Sequence, residues 1–346
     1  MPGPTTPHTT PSARPRRPVT STAAEAVRPA RFSRRTMIAV TAILVAVVIG
    51  VVGWGLRGDE ASAAGPLPQD TRMGTVELLV NDLDAQRAFY GDVLGLEVID
   101  EAQESVSLGA GGQPLVHLVR TTDPRPALTE AGLYHSALLY PDEAALSAVL
   151  MRVAEQAPES YQGASDHSVS LAFYLGDPEG NGVELYVDRD RSTWQWDGDR
   201  VQMGSAPLDP NAFMAQHQDG DTTGAPTMGH VHLKVGDLDE ARRFYVDTLG
   251  FDVTSEADGA IFMSAGGYHH HLAANTWGSD GASARTATSG LGSVQVVLPT
   301  AADVDALAAR LDDAGLTYEH DDLGLTVDDP WGTAVAVSAE AQSSTP

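Results

Sequence analysis

Two stretches decide the reading of this chain: MGTVELLVNDLDAQRAFYGDVLGLEV at residues 73–98 and MGHVHLKVGDLDEARRFYVDTLGFDV at residues 228–253. They lie 155 positions apart and share fifteen of twenty-six residues, an internal repeat far beyond chance. Each reads as a strand, an Asp-capped turn, a helix carrying a Phe-Tyr pair, and a Gly-terminated stop. A weaker copy follows in each half. GLYHSALLYPDEAALSAVL begins at Gly132 and GLGSVQVVLPTAADVDALAARL begins at Gly290; both pass from strand through Pro to an amphipathic helix. Both end in a Gly turn and a last strand, DPEGNGVELYV from Asp177 and DPWGTAVAV from Asp329. The body therefore reads as four strand–helix–strands units of about fifty residues each.

Working outward, residues 73–188 hold the first two units and residues 228–338 the last two. Residues 189–227 connect them, and 339–346 form a tail. Residues 1–36 are rich in Pro, Thr, Ser and Arg with no apolar period, which predicts disorder. Residues 37–56, MIAVTAILVAVVIGVVGWGL, are long and apolar enough to cross a bilayer. Seven arginines precede that run and Asp59 and Glu60 follow it, so a retained anchor would leave the N-terminus in the cytoplasm and the body outside. A second reading stays open. Ser33-Arg34-Arg35-Thr36-Met37 resembles a twin-arginine export signal, with Ala61-Ser62-Ala63 as its cleavage pattern. Residues 57–72 read as a linker.

Composition narrows the chemistry. Cysteine is absent, so there are no disulfides and no thiolate ligand, and any metal must sit on imidazole and carboxylate. The net charge is −26, and the basic N-terminus makes the body more acidic still. That surface repels phosphate backbones and argues against a nucleic-acid partner.

The unit pattern resembles the vicinal oxygen chelate superfamily of glyoxalase I, extradiol catechol dioxygenases and the fosfomycin- and bleomycin-resistance proteins. GHVHLKV at 229–235, SAGGYHHHLAANTW at 264–277 and DPEGNGVELYVDR at 177–189 are most similar to the CatE-type catechol 2,3-dioxygenases. The resemblance implies an α+β fold of four βαβββ units paired into two cup-shaped sheets. It also implies one metal per working cup, held by residues from the first and last strands of each unit. At those positions the first unit offers Thr75 and His117, the second His135 and Glu184, the third His230 and His271, and the fourth Ser293 and Ala336.

Strand alternation supports these choices. Val231, Leu233 and Val235 form an apolar face, leaving His230 and His232 on the other. Val183 and Leu185 leave Glu184 opposite, and Leu272 sharing a face with His270 would turn His269 and His271 inward. The expected ligands are His135, Glu184, His230 and His271, with His269 and His117 as alternates. If the second unit pairs with the third, one cup collects all four; if each half closes on itself, both cups are incomplete. The preferred arrangement pairs second with third. His167, His232 and Tyr174 are the candidate proton-transfer groups.

Imidazole and carboxylate are a ligand set for Fe(II), Mn(II), Ni(II), Co(II) or Zn(II), and the resemblance to catechol dioxygenases implies Fe(II) first. The expected function is an extradiol-type ring-cleaving dioxygenase acting on a small catechol-like molecule with O2. A glyoxalase-like lyase or isomerase and a non-catalytic small-molecule-binding protein are the other readings. Membrane association would run through residues 37–56. Oligomeric state is open.

Overall fold

The computed structural model describes residues 66–220 and 224–340. The apolar run 37–56, the basic segment before it and the tail after 340 lie outside the described residues. Among the described residues, no helix is long and apolar enough to cross a membrane.

The first unit contains β1 (Arg72–Val80), α1 (Leu83–Ala88), β2 (Glu97–Glu101), β3 (Ser105–Ala110) and β4 (Gln113–Arg120). The second contains β5 (Gly132–Leu139), α2 (Glu143–Gln156), β6 (Tyr161–Asp166), β7 (Ser170–Gly176) and β8 (Gly182–Asp188). The connection forms β9 (Trp196–Asp197), β10 (Arg200–Val201), β11 (Ala206–Pro207) and α3 (Pro210–His217). The third unit contains β12 (Thr227–Lys234), α4 (Leu238–Ala241), β13 (Asp252–Ala257), β14 (Ala260–Ser264) and β15 (Leu272–Asn275). The fourth contains β16 (Gly290–Leu298), α5 (Ala301–Asp313), β17 (Tyr318–Asp321), β18 (Gly324–Asp328) and β19 (Ala334–Ala339).

Local chemistry explains these boundaries. The Asp82 side chain accepts from the Ala85 N–H, and Asp237 does the same for Glu240, so the Asp-Leu-Asp turn starts each signature helix. Each helix then widens into a π turn, over Phe89–Val93 and Arg242–Thr248, which the sequence pattern did not anticipate. Gly95 at φ 81° and Gly250 at φ 93° end the two turns in a conformation that side chains resist. Thr300 and Asp303 form a reciprocal capping box on α5. Leu67 corrects the linker reading at its end: it is buried, and its N–H donates to the Gly250 carbonyl at 2.9 Å.

The strands make two large sheets. One runs β17-β18-β19-β16-β1-β4-β3-β2, joining the first and fourth units. The other runs β11-β6-β7-β8-β5-β12-β15-β14-β13, joining the second and third. Antiparallel pairing of β1 with β16, and of β5 with β12, makes each join. One apolar core holds Leu78 and Leu118 of the first sheet, Leu185 and Leu233 of the second, and Tyr90, Leu146, Tyr245 and Leu311 from the helical segments.

The opposite faces of the two sheets differ. Along β1, Val76, Leu78 and Val80 are buried while Thr75, Glu77 and Leu79 are only partly so. Along β12, Met228 through Leu233 are all buried. The second-with-third cup is therefore closed by its own side chains, and the first-with-fourth cup is more open.

Candidate metal centre

Neighbouring central strands bring three side chains together. Val183 and Leu185 on β8, and Val231 and Leu233 on β12, enter the core, so Glu184 and His230 project from the other face. His135 on β5 lies between them in the strand order. His135 Nε2 is 3.0 Å from Glu184 Oε2, and His230 Nε2 is 3.3 Å from the same oxygen. The two imidazole nitrogens face each other at 3.3 Å. Among the described residues, these three form the group whose donor atoms all lie within 4.8 Å of one another.

The protonation states suit a cation. Burial pushes His230 down to about 4, against the pull of the Glu184 carboxylate. Burial opposes ionisation of Glu184, but the imidazoles of His230 and His135 outweigh it and hold the carboxyl well below its usual range. A buried carboxylate and two buried imidazoles thus converge, a donor set that fits a divalent metal ion.

His271, expected as a fourth ligand, is not in this group. Its Nδ1 accepts from the Ala265 N–H at 3.2 Å and meets Ser264 Oγ at 3.1 Å. The alternation that assigned it was carried past the start of β15 at Leu272 into the irregular segment before it. His269 turns toward the end of β8, with Nε2 3.0 Å from Asp188 Oδ1. His117 lies in the other sheet, with Nδ1 2.8 Å from Ser107 Oγ. The sequence reading missed His270, whose ring centroid is 4.1 Å from that of His230.

The candidate proton-transfer groups lie around the three. His167 Nδ1 is 2.7 Å from the Gly204 carbonyl, which can only accept, so Nδ1 carries the ring proton. His167 Nε2 therefore accepts the Tyr174 hydroxyl at 2.7 Å. Burial and the Glu184 charge raise Tyr174 well above its ordinary value, keeping it a neutral phenol. The Tyr174 ring centroid is 5.6 Å from that of His135. His232 lies on the opposite side, 5.0 Å from His135. Around it stand Tyr134 at 4.9 Å, Trp277 at 5.6 Å and Phe262 at 5.8 Å. Tyr134 is 39% exposed, so this aromatic wall reaches the surface beside the triad. Its members were scattered over three strands and a loop, and only their assembly marks them.

A family model described as the Glyoxalase/Bleomycin resistance protein/Dioxygenase superfamily matches residues 72–185 and 227–337. A "Catechol-2,3-dioxygenase" from Bacillus subtilis (strain 168) is 38% identical over 272 residues, covering 76% of this chain and 95% of that protein. A crystal structure of a candidate dioxygenase from Bacillus subtilis subsp. subtilis str. 168 aligns with a TM-score of 0.53 at 10% identity, over 80% of this chain and 86% of that one. Glyoxalase I from Zea mays aligns with a TM-score of 0.46 at 16% identity, over 78% and 92%.

Proposed function

This chain belongs to the glyoxalase/bleomycin resistance protein/dioxygenase superfamily, and from that premise we propose that it is a divalent-metal-dependent extradiol dioxygenase opening a catechol-like ring with O2. The carrying observation is the buried convergence of His135, Glu184 and His230 beside an aromatic wall. Support comes from the 38% identity to a catechol-2,3-dioxygenase over nearly all of that protein's length. Two imidazoles and one carboxylate are the donor set that non-haem Fe(II) oxygenases use, so Fe(II) is the proposed metal ahead of Mn(II), Ni(II) and Zn(II).

When bound, Fe(II) supplies a redox-capable Lewis acid with positions left for small ligands. The surrounding residues do the rest. Tyr134, Trp277 and Phe262 offer flat apolar surface on one side of the triad, which suits a planar ring. Tyr174 presents a neutral hydroxyl beside Glu184 and passes a proton from a substrate oxygen to His167 Nε2. The burial of His135, Glu184 and His230 limits water at the reacting atoms.

The glyoxalase-like alternative is less well served, because Glu184 is the single carboxylate in the group. For location, the apolar run 37–56 and the arginines before it support an extracytoplasmic body, anchored or exported.

The test is anaerobic loading with Fe(II), then catechol and air. The expected result is one iron per chain and a yellow ring-opened product. Full iron occupancy with no ring opening of any catechol tested would sink the dioxygenase reading. Stoichiometric nickel or zinc with dicarbonyl–thiol isomerase activity would replace it.

A further inference from the structure

The cup of the nine-stranded sheet contains more imidazoles than the converging group uses. His232 is the clearest case. It is buried, its ring centroid lies 5.0 Å from that of His135, and yet it stands outside the group. A short polar chain that starts at the backbone explains why.

The Trp277 N–H donates to Asn275 Oδ1 at 3.0 Å. A backbone N–H can only donate, so the amide oxygen must face Trp277 and the amide nitrogen must face away. That nitrogen, Asn275 Nδ2, lies 2.9 Å from His232 Nε2. Nδ2 can only donate, so His232 Nε2 must accept, and the ring proton must sit on Nδ1. Flipping the amide would oppose donor to donor at Trp277, and moving the ring proton to Nε2 would oppose donor to donor at His232, between side chains that are both buried. Asn275 is fully buried, and its carbonyl accepts from the Val235 N–H at 2.8 Å. Its strand position is also paired on both sides, with Lys234 and with Ala260. The side-chain amide is thus held by Trp277 and His232, and the backbone that carries it is fixed by the sheet.

We infer that Asn275 is a positioning residue that locks His232 as the neutral Nδ1–H tautomer by occupying its Nε2 lone pair. The locked imidazole is unavailable as a third imidazole ligand through Nε2, although it lies in the same cup as His135 and His230. Its Nδ1–H is kept as a hydrogen-bond donor. The functional consequence rests on the metal-dependent reading above: two imidazoles and a carboxylate leave positions for substrate and O2, which a further imidazole would fill. The tautomer itself does not depend on that reading.

The experiment uses the full chain, metal-free, with 15N-labelled histidine. Two-bond 1H–15N correlation spectra show which ring nitrogen bears the proton, and the His232 signals are those lost in His232→Gln. In the wild type, the proton is expected on Nδ1. In Asn275→Asp, the carboxylate keeps the Trp277 N–H and must accept from His232, so the proton is expected to move to Nε2. After iron loading, that variant should retain one iron per chain and lose roughly 10- to 100-fold in kcat. A wild-type proton on Nε2, or an Asn275→Asp spectrum unchanged from wild type, overturns the inference. If Asn275→Asp fails to fold, the wild-type spectrum alone decides. A locked tautomer in a protein that opens no catechol ring would leave this inference standing and remove the dioxygenase proposal instead.

Discussion

The Tyr245 hydroxyl donates to Asp329 Oδ2 at 2.9 Å, and the contact joins the two sheets. Tyr245 belongs to the third unit and Asp329 opens the last turn of the fourth. Asp329 Oδ1 meanwhile accepts the Trp331 and Thr333 N–H groups, so one carboxylate closes the turn and receives the tyrosine. Tyr90 and Asp177 repeat the arrangement between the first and second units, with a longer contact of 3.4 Å. The tyrosine of each Phe-Tyr pair is thus the tie between an Asp-Pro turn and the helix of the preceding unit. Tyr245→Phe leaves a buried carboxylate oxygen short of a donor and should destabilise the protein by about 1–3 kcal/mol. Tyr90→Phe should cost less. Urea unfolding of both variants checks the order, and equal or negligible losses would refute it.

Metal binding separates the candidate histidines. His135→Ala, Glu184→Ala and His230→Ala should each weaken the metal by more than roughly 100-fold, since even groups behind a ligand cost that much. His117→Ala should bind one equivalent as the wild type does, because His117 lies in the other sheet. His271→Ala should also retain its metal, because His271 Nδ1 is engaged by Ala265. Metal content after gel filtration, with a chelator titration, reads all five.

The Tyr174–His167 pair predicts a kinetic signature. Tyr174→Phe keeps the ring and removes the hydroxyl that meets His167 at 2.7 Å. It should lower kcat by about 100-fold with little change in metal content. His167→Ala should give a similar loss, and the double variant should be no worse than either single change, because both remove one path. Additive losses would show that the two act separately.

Buried imidazoles set an acid limit on the metal-free protein. Burial pushes His230 down to about 4 and His271 down to about 3, below the ordinary value of about 6.5. Between those limits the unfolded chain binds more protons than the native one, so their contribution to stability is lost as pH falls through the window. Asp177 and Asp329 work oppositely: burial raises them, so their contribution is lost as pH climbs through their folded values. His271→Gln isolates one imidazole. It should remove on the order of 2 kcal/mol of the stability change between pH 6.5 and 4. Identical pH profiles of stability in variant and wild type would contradict the assignment.

Much of this was legible in the sequence, for reasons that can be named. The Asp caps at Asp82 and Asp237 and the stops at Gly95 and Gly250 are local chemistry, visible in the residues themselves. His230 and Glu184 could be placed because alternation holds locally around each, with Val231 and Leu233, and Val183 and Leu185, entering the core. His271 could not. Gly266 and Gly267 both adopt φ 64°, so the chain turns sharply between β14 and β15 and the phase of alternation is lost across it. His270 was missed for the same reason. Asn275 was invisible for a different one: its importance lies in a contact with a strand more than forty residues away. The π turns were also hidden, because they depend on packing rather than on residue preference.

The way the sheets are composed has a consequence for covalent continuity. Each sheet takes one unit from the amino half and one from the carboxyl half, so neither half owns a complete β surface. His135 and Glu184 travel with one half and His230 with the other. The chain therefore resembles a domain-swapped dimer fused into one molecule. Severed at the connection, its fragments would be obliged to complement each other, and the metal would report their reunion.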